Sequence, residues 1–125
     1  MNLLNARTIA FVFGLTFVAI ALLGFIPNPL VSEHGLFEVN AAHNLTHLVT
    51  GLVFLSGPIF FRGREDMVVT AMAALYLPVA ILGFFVHDQM LLGFIHINEA
   101  DKYLHVLVAI AFIVAAFIAR KNKMA

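Results

Sequence analysis

The sequence predicts an all-α membrane protein, a four-transmembrane-helix bundle built from two tandem helical-hairpin repeats in parallel orientation. The composition is the first reason, because 62% of the 125 residues are hydrophobic and only 11% are charged, against about 25% charged in a typical soluble domain. The second reason is that four apolar segments each reach the roughly 20 residues that a transmembrane helix needs. The third is that matching polar motifs introduce the second and the fourth of these segments.

The predicted spans form one integral membrane domain, residues 1–125, and lie at about 8–26, 41–61, 67–86 and 100–119. Prolines and charged residues separate the spans, as in PNP at 27–29 and RGRED at 62–66. The first span is too long for a signal peptide, and no small-residue cleavage site follows it. We therefore expect it to stay in the protein as an anchor.

Basic residues are distributed unevenly between the two sides of this topology. One side carries Arg7, Arg62, Arg64, Arg120, Lys121 and Lys123. The other side carries only Lys102. The positive-inside rule therefore places the N- and C-termini in the cytoplasm. All six histidines then lie on or near the outer side, where imidazoles and carboxylates together attract cations.

The two halves of the chain, about 8–61 and 67–119, align as an internal repeat. Laying Gly35 over Gly93 pairs Asn40 with Asn98, His43 with Asp101, and His47 with His105. Each half contains two spans, so the halves share one orientation and are related by an axis along the membrane normal. The two polar motifs are therefore expected at the same outer depth, facing each other if spans two and four are neighbours.

Asn40 and Asn98 each precede an apolar helix and are predicted to cap it, because an asparagine oxygen accepts a hydrogen bond from an orphan backbone N–H. His43 and His47 are four residues apart, on one face of a helix. Asp101 and His105 have the same spacing. Two such pairs facing each other would supply three imidazoles and a carboxylate, a ligand set that suits zinc or another divalent metal ion.

Three other interpretations of these residues are open. The leading interpretation is that the polar cluster holds the helices together by hydrogen bonds, as in an accessory subunit without catalytic activity, with the metal site as its alternative. His47 and His105 could be the axial ligands of a haem in a redox component. A proton relay could use His47, Asp101 and His105, but the spans are apolar below Thr50, which argues against a path across the whole membrane.

Motifs of several enzyme classes are absent from the sequence. There is no phosphate-binding glycine loop, no G-x-S-x-G elbow and no H-E-x-x-H, and there is no cysteine. The interpretation as a non-enzyme is favoured for this reason. The net charge of zero argues against a nucleic-acid partner, which leaves the lipid bilayer and a homodimer or larger membrane complex as expected partners.

The segments NAAHNLTHLVTGLVFL and NEADKYLHVLVAIAFI resemble a family of small four-span bacterial membrane proteins catalogued as a domain of unknown function. Members carry Asn-x-x-His-Asn-Leu-x-His-Leu before the second span and Asn-x-x-Asp-x-x-x-His before the fourth. The likeness covers about residues 8–118, and this sequence departs from it in having Lys102 where asparagine is usual. The resemblance implies the fold, a bacterial inner membrane and the position of the polar residues, but no reaction.

Overall fold

A computed structural model describes residues 4–124, which form four helices: α1 (Ala6–Gly24), α2 (Ala41–Phe60), α3 (Glu65–Gly83) and α4 (Glu99–Met124). The helical class is confirmed, and each predicted span overlaps one helix. Two pairs of two-residue strands were not predicted. β1 (Val31–Ser32) bridges β2 (Phe37–Glu38) in parallel within the α1–α2 connection. β3 (Met90–Leu91) pairs antiparallel with β4 (Ile95–His96) within the α3–α4 connection.

Three of the four helices, α1, α3 and α4, are long and apolar enough to cross a membrane. This agrees with the prediction for those three spans. Helix α2 has 20 residues and is long enough, but it does not reach the same hydropathy. The cause is the polar run in its first turns, which contains His43, Asn44, Thr46 and His47.

The molecule exposes apolar side chains and buries polar ones. Leu15, Leu107 and Phe117 are 60%, 64% and 74% exposed, whereas His43 and Asp101 are each 2% exposed. A water-soluble protein rarely exposes so much contiguous apolar surface. Polar groups turned toward the interior of a bundle are what a hydrocarbon environment selects.

Helix α1 packs mainly against α2, and α3 packs mainly against α4. Glycines set the close approach of the first pair, because a Cβ on Gly14 would lie 2.6 Å from Leu55 Cγ and one on Gly51 would lie 2.8 Å from the carbonyl oxygen of Gly14. Small residues at such contacts are typical of helices packed in lipid. Between the two pairs lies an aromatic core that includes Phe17, Phe54, Tyr76 and Phe112.

The two ends of the bundle differ in chemistry. At one end, which we call the basic end, Asn122 Nδ2 donates to the carbonyl oxygen of Leu4 at 2.7 Å, and Lys123 Nζ pairs with Asp66 Oδ1 at 2.9 Å. Both ends of the described chain therefore lie beside the α2–α3 turn. The connections 25–40 and 84–98 meet at the opposite end, which we call the histidine end.

Candidate functional site

The N-termini of α2 and α4 are fixed at the histidine end by two asparagines. Asn40 Oδ1 accepts a hydrogen bond from the backbone N–H of His43 at 2.9 Å, and Asn98 Oδ1 accepts one from the backbone N–H of Asp101 at 3.0 Å. Both asparagines therefore occupy N-cap positions, each of which stabilises a helix by about 1 kcal/mol. The capped turns hold the polar residues of α2 and α4 in place.

The same asparagines join the two halves of the chain. Asn40 Nδ2 donates to the carbonyl oxygen of Phe94, and Asn98 Nδ2 donates to the carbonyl oxygen of Leu36, both at 2.9 Å. Leu36 and Phe94 are themselves paired by the alignment of Gly35 with Gly93. The two hydrogen bonds are therefore reciprocal. One holds the α3–α4 connection against the start of α2, and the other holds the α1–α2 connection against the start of α4.

Asp101 and His43 occupy the same position in their helices but have different partners. Asp101 Oδ2 accepts a hydrogen bond from the backbone N–H of Asn98 at 2.9 Å, which completes a capping box. The His43 ring instead reaches the other half, where its Nδ1 lies 2.7 Å from the carbonyl oxygen of His96. Because a carbonyl only accepts, Nδ1 must carry the proton, and the lone pair of Nε2 is left free.

Three of the four predicted metal ligands are brought together. One ring nitrogen from each of His43, His47 and His105 lies within 4.8 Å of the others. The His43 ring centroid is 4.4 Å from that of His47 and 5.4 Å from that of His105. Asp101 is not in this group, because its carboxylate closes the cap of α4. We call these three side chains the histidine cluster.

Two nitrogens of the histidine cluster are buried without a hydrogen-bond partner. They are Nδ1 of His47 and Nδ1 of His105, and Asn44 Oδ1 is the third such side-chain atom within residues 4–124. Leaving a buried polar atom unpaired costs about 1–3 kcal/mol. Unpaired buried atoms are uncommon in native proteins, and a bound ion, an ordered water or a functional role is their usual explanation.

The other histidines lie outside the cluster. His34 and His87 are exposed. His96 Nε2 lies 2.9 Å from Glu38 Oε2, so it links the two connections by an ion pair when it is protonated. The role of the His96 carbonyl as a partner of His43 was not predicted, because a backbone carbonyl leaves no signature in the sequence.

Cavities flank the histidine cluster on two sides. A groove of about 500 Å³ between α2 and α3 is lined by all three histidines of the cluster. A smaller cavity of about 230 Å³ beside α1 and α4 is lined by His47, His105 and Asp101. Tyr76 borders both. Space for a small ligand therefore adjoins the cluster on both sides.

An aromatic layer closes the site toward the basic end. The Phe17 ring contacts the His47 ring edge-on, with centroids 5.6 Å apart. Tyr76 lies beside them and shares a 2.9 Å hydrogen bond with Thr50 Oγ1. Since that hydroxyl of Thr50 donates to the carbonyl oxygen of Thr46, Tyr76 is the donor of the pair. A packed layer of this kind separates the imidazoles from the other end of the bundle.

An apolar exterior, three membrane-length helices and a buried imidazole cluster are consistent with a helical membrane protein that has an internal polar site. The chain belongs to the DUF4383 family, described as a domain of unknown function, whose sequence model matches residues 7–118. This agrees with the resemblance to a family of unknown function inferred from the paired motifs. Comparison with the curated proteins and with the solved structures finds no match.

Proposed function

We propose that the protein is a membrane-embedded metal-binding protein whose histidine cluster holds one divalent ion. The observation that carries this proposal is the convergence of three imidazoles with two buried nitrogens that lack a partner. Zinc bound by three imidazoles has nitrogens about 3.4 Å apart when the Zn–N distances are about 2.0–2.1 Å. The three ring nitrogens lie within 4.8 Å of one another, so metal binding requires them to move closer together.

The surroundings of His43 support a metal ligand. Metal-binding histidines usually donate their other ring N–H to a carbonyl or a carboxylate, which fixes the tautomer and the ring orientation. His43 has this arrangement, with Nδ1 directed at the carbonyl oxygen of His96 and Nε2 available. Hydrogen bonds of His43, Asn40 and Asn98 do join the two halves. They leave Nδ1 of His47 and Nδ1 of His105 unpaired, which the alternative of a purely hydrogen-bonded cluster does not explain.

The haem alternative is also less well supported. A porphyrin between His47 and His105 needs a wide planar slot between the two rings. The His43 ring lies within 4.4 Å and 5.4 Å of those rings, measured between centroids, and its own hydrogen bond to His96 holds it there. A haem would therefore have to displace a buried, hydrogen-bonded side chain.

The metal content of the purified protein tests the proposal. We expect one equivalent of zinc after gentle detergent extraction, and almost none in a His47→Ala/His105→Ala variant. The matched control is His34→Ala/His87→Ala, which removes two exposed histidines outside the cluster and should keep the metal. Equal metal content in the two double variants would show that the ion, if any, binds elsewhere.

We further propose that α2 is the fourth span and that the two halves form a tandem repeat in one orientation. Leu45, Val49 and Leu52 of α2 are each more than half exposed, which suits contact with lipid. The reciprocal hydrogen bonds of Asn40 and Asn98 support a two-fold relation between the halves. With the basic end in the cytoplasm of a bacterial cell, the histidine cluster faces the outer side.

Cysteine labelling tests this orientation, since the chain has no cysteine of its own. In intact cells a membrane-impermeant maleimide should label Glu33→Cys at the histidine end. It should label Arg62→Cys at the basic end only after the membrane is permeabilised. Labelling of Arg62→Cys in intact cells, with Glu33→Cys protected, would reverse the proposed orientation.

A further inference from the structure

The groove between α2 and α3 combines a polar end with long apolar walls. Its polar end is the histidine cluster, and its walls include Leu45, Val49, Val53, Leu75 and Val79. We call this the α2–α3 groove. Leu45, Val49 and Leu75 are also 52%, 59% and 56% exposed on the outer surface of the bundle, so the groove opens sideways, where the bilayer would lie, rather than toward water.

We propose that the α2–α3 groove admits a long-chain carboxylate from the bilayer, whose head group binds the metal ion in the histidine cluster. This inference rests on the proposed metal site. Three neutral imidazoles leave the charge of a divalent ion uncompensated, and within residues 4–124 no further histidine or carboxylate joins the group. Zinc held by three protein ligands keeps an exchangeable fourth position, and an anionic oxygen complements its charge.

The shape of the groove fits one hydrocarbon chain. The α2 residues that line it run from Ala42 to Val53, and a helical segment from His43 to Val53 rises about 15 Å. That is close to the length of an extended dodecyl chain. The groove volume of about 500 Å³ is within the range of small-molecule sites, which are mostly apolar with a few polar groups that fix the ligand.

Cobalt(II) spectroscopy of the detergent-solubilised protein tests the inference, because the visible band of bound cobalt changes when a ligand enters the fourth position. Laurate and acetate are the two probes. We expect laurate to change the spectrum at concentrations at least about tenfold lower than acetate, since burying even two methylenes of its chain corresponds to such a factor. Val79→Phe, which fills the groove, should remove this preference. Ile110→Phe, on an exposed face of α4 outside the groove, should retain it.

The possible failures are distinguishable. If no variant and no wild-type sample takes up cobalt, the metal site itself is wrong and this inference falls with it. Two results would refute the hydrocarbon-binding groove while the metal site stands. In the first, cobalt binds but laurate changes its spectrum no better than acetate does. In the second, Val79→Phe prefers laurate as strongly as Ile110→Phe does. Cobalt uptake by Val79→Phe serves as the check that this variant folds.

Discussion

We expect the His105→Leu variant to be at least as stable as the wild type in the absence of metal, and to gain nothing from added zinc. Leucine has a similar volume and removes a buried nitrogen that has no hydrogen-bond partner. Removing such an atom relieves about 1–3 kcal/mol of desolvation cost. The same change deletes one of the three imidazoles of the histidine cluster and with it the metal.

The wild type should respond to zinc strongly. A ligand present at about 100 times its dissociation constant stabilises the folded state by about 2.7 kcal/mol, which corresponds to roughly 10 °C in the melting temperature of a domain of this size. Thermal unfolding in detergent, with and without zinc, measures both effects. If hydrogen bonds alone held the cluster together, His105→Leu would lower the metal-free melting temperature and zinc would not raise that of the wild type.

The second large effect is expected at the end of α1. A Cβ on Gly24 would lie 1.9 Å from Asn44 Oδ1 and 2.7 Å from Asn44 Cγ. Asn44 is 2% exposed, so it has little room to retreat. Gly24→Ala should therefore lower the free energy of unfolding by about 1–3 kcal/mol, as overpacking does elsewhere.

Gly83 provides the matched control, because it is the last residue of α3 as Gly24 is of α1. A Cβ on Gly83 would meet Ile97 at 3.6 Å and Lys102 at 3.9 Å, which are ordinary contacts. Lys102 stands opposite Gly83 where Asn44 stands opposite Gly24, and its Nζ turns away to Glu99 at 2.6 Å. Gly83→Ala should melt within a few degrees of the wild type. Equal losses in the two variants would contradict this account of the contact.

The helices were predictable from the sequence because long apolar runs have few alternatives to a helix in a membrane. The apolar signal is weakest in α2, because polar residues occupy its first turns. The convergence of His43 with His47 followed from their spacing of four. The internal alignment predicted only an equal depth for His105, and its meeting with the other two depended on how the helices pack. The short strands were not predictable, since two-residue pairs carry no pattern of alternation.

Asp101 shows where a spacing had two physical interpretations. Its separation of four from His105 suggested a second pair of metal ligands. Its separation of three from Asn98 is also the spacing of a capping box, and the structure has Asp101 Oδ2 bonded to the backbone N–H of Asn98. His43, at the equivalent position, is available to the cluster because its side chain turns to the His96 carbonyl instead.

X-ray absorption at the zinc edge of the metal-loaded protein tests the metal site most directly. We expect a first shell of low coordination number with nitrogen at about 2.0–2.1 Å, together with the outer-shell scattering of three imidazole rings. The His47→Ala/His105→Ala variant should lose that scattering. A shell of six oxygens without imidazole, in protein that retains its zinc, would contradict the assignment of His43, His47 and His105 as ligands.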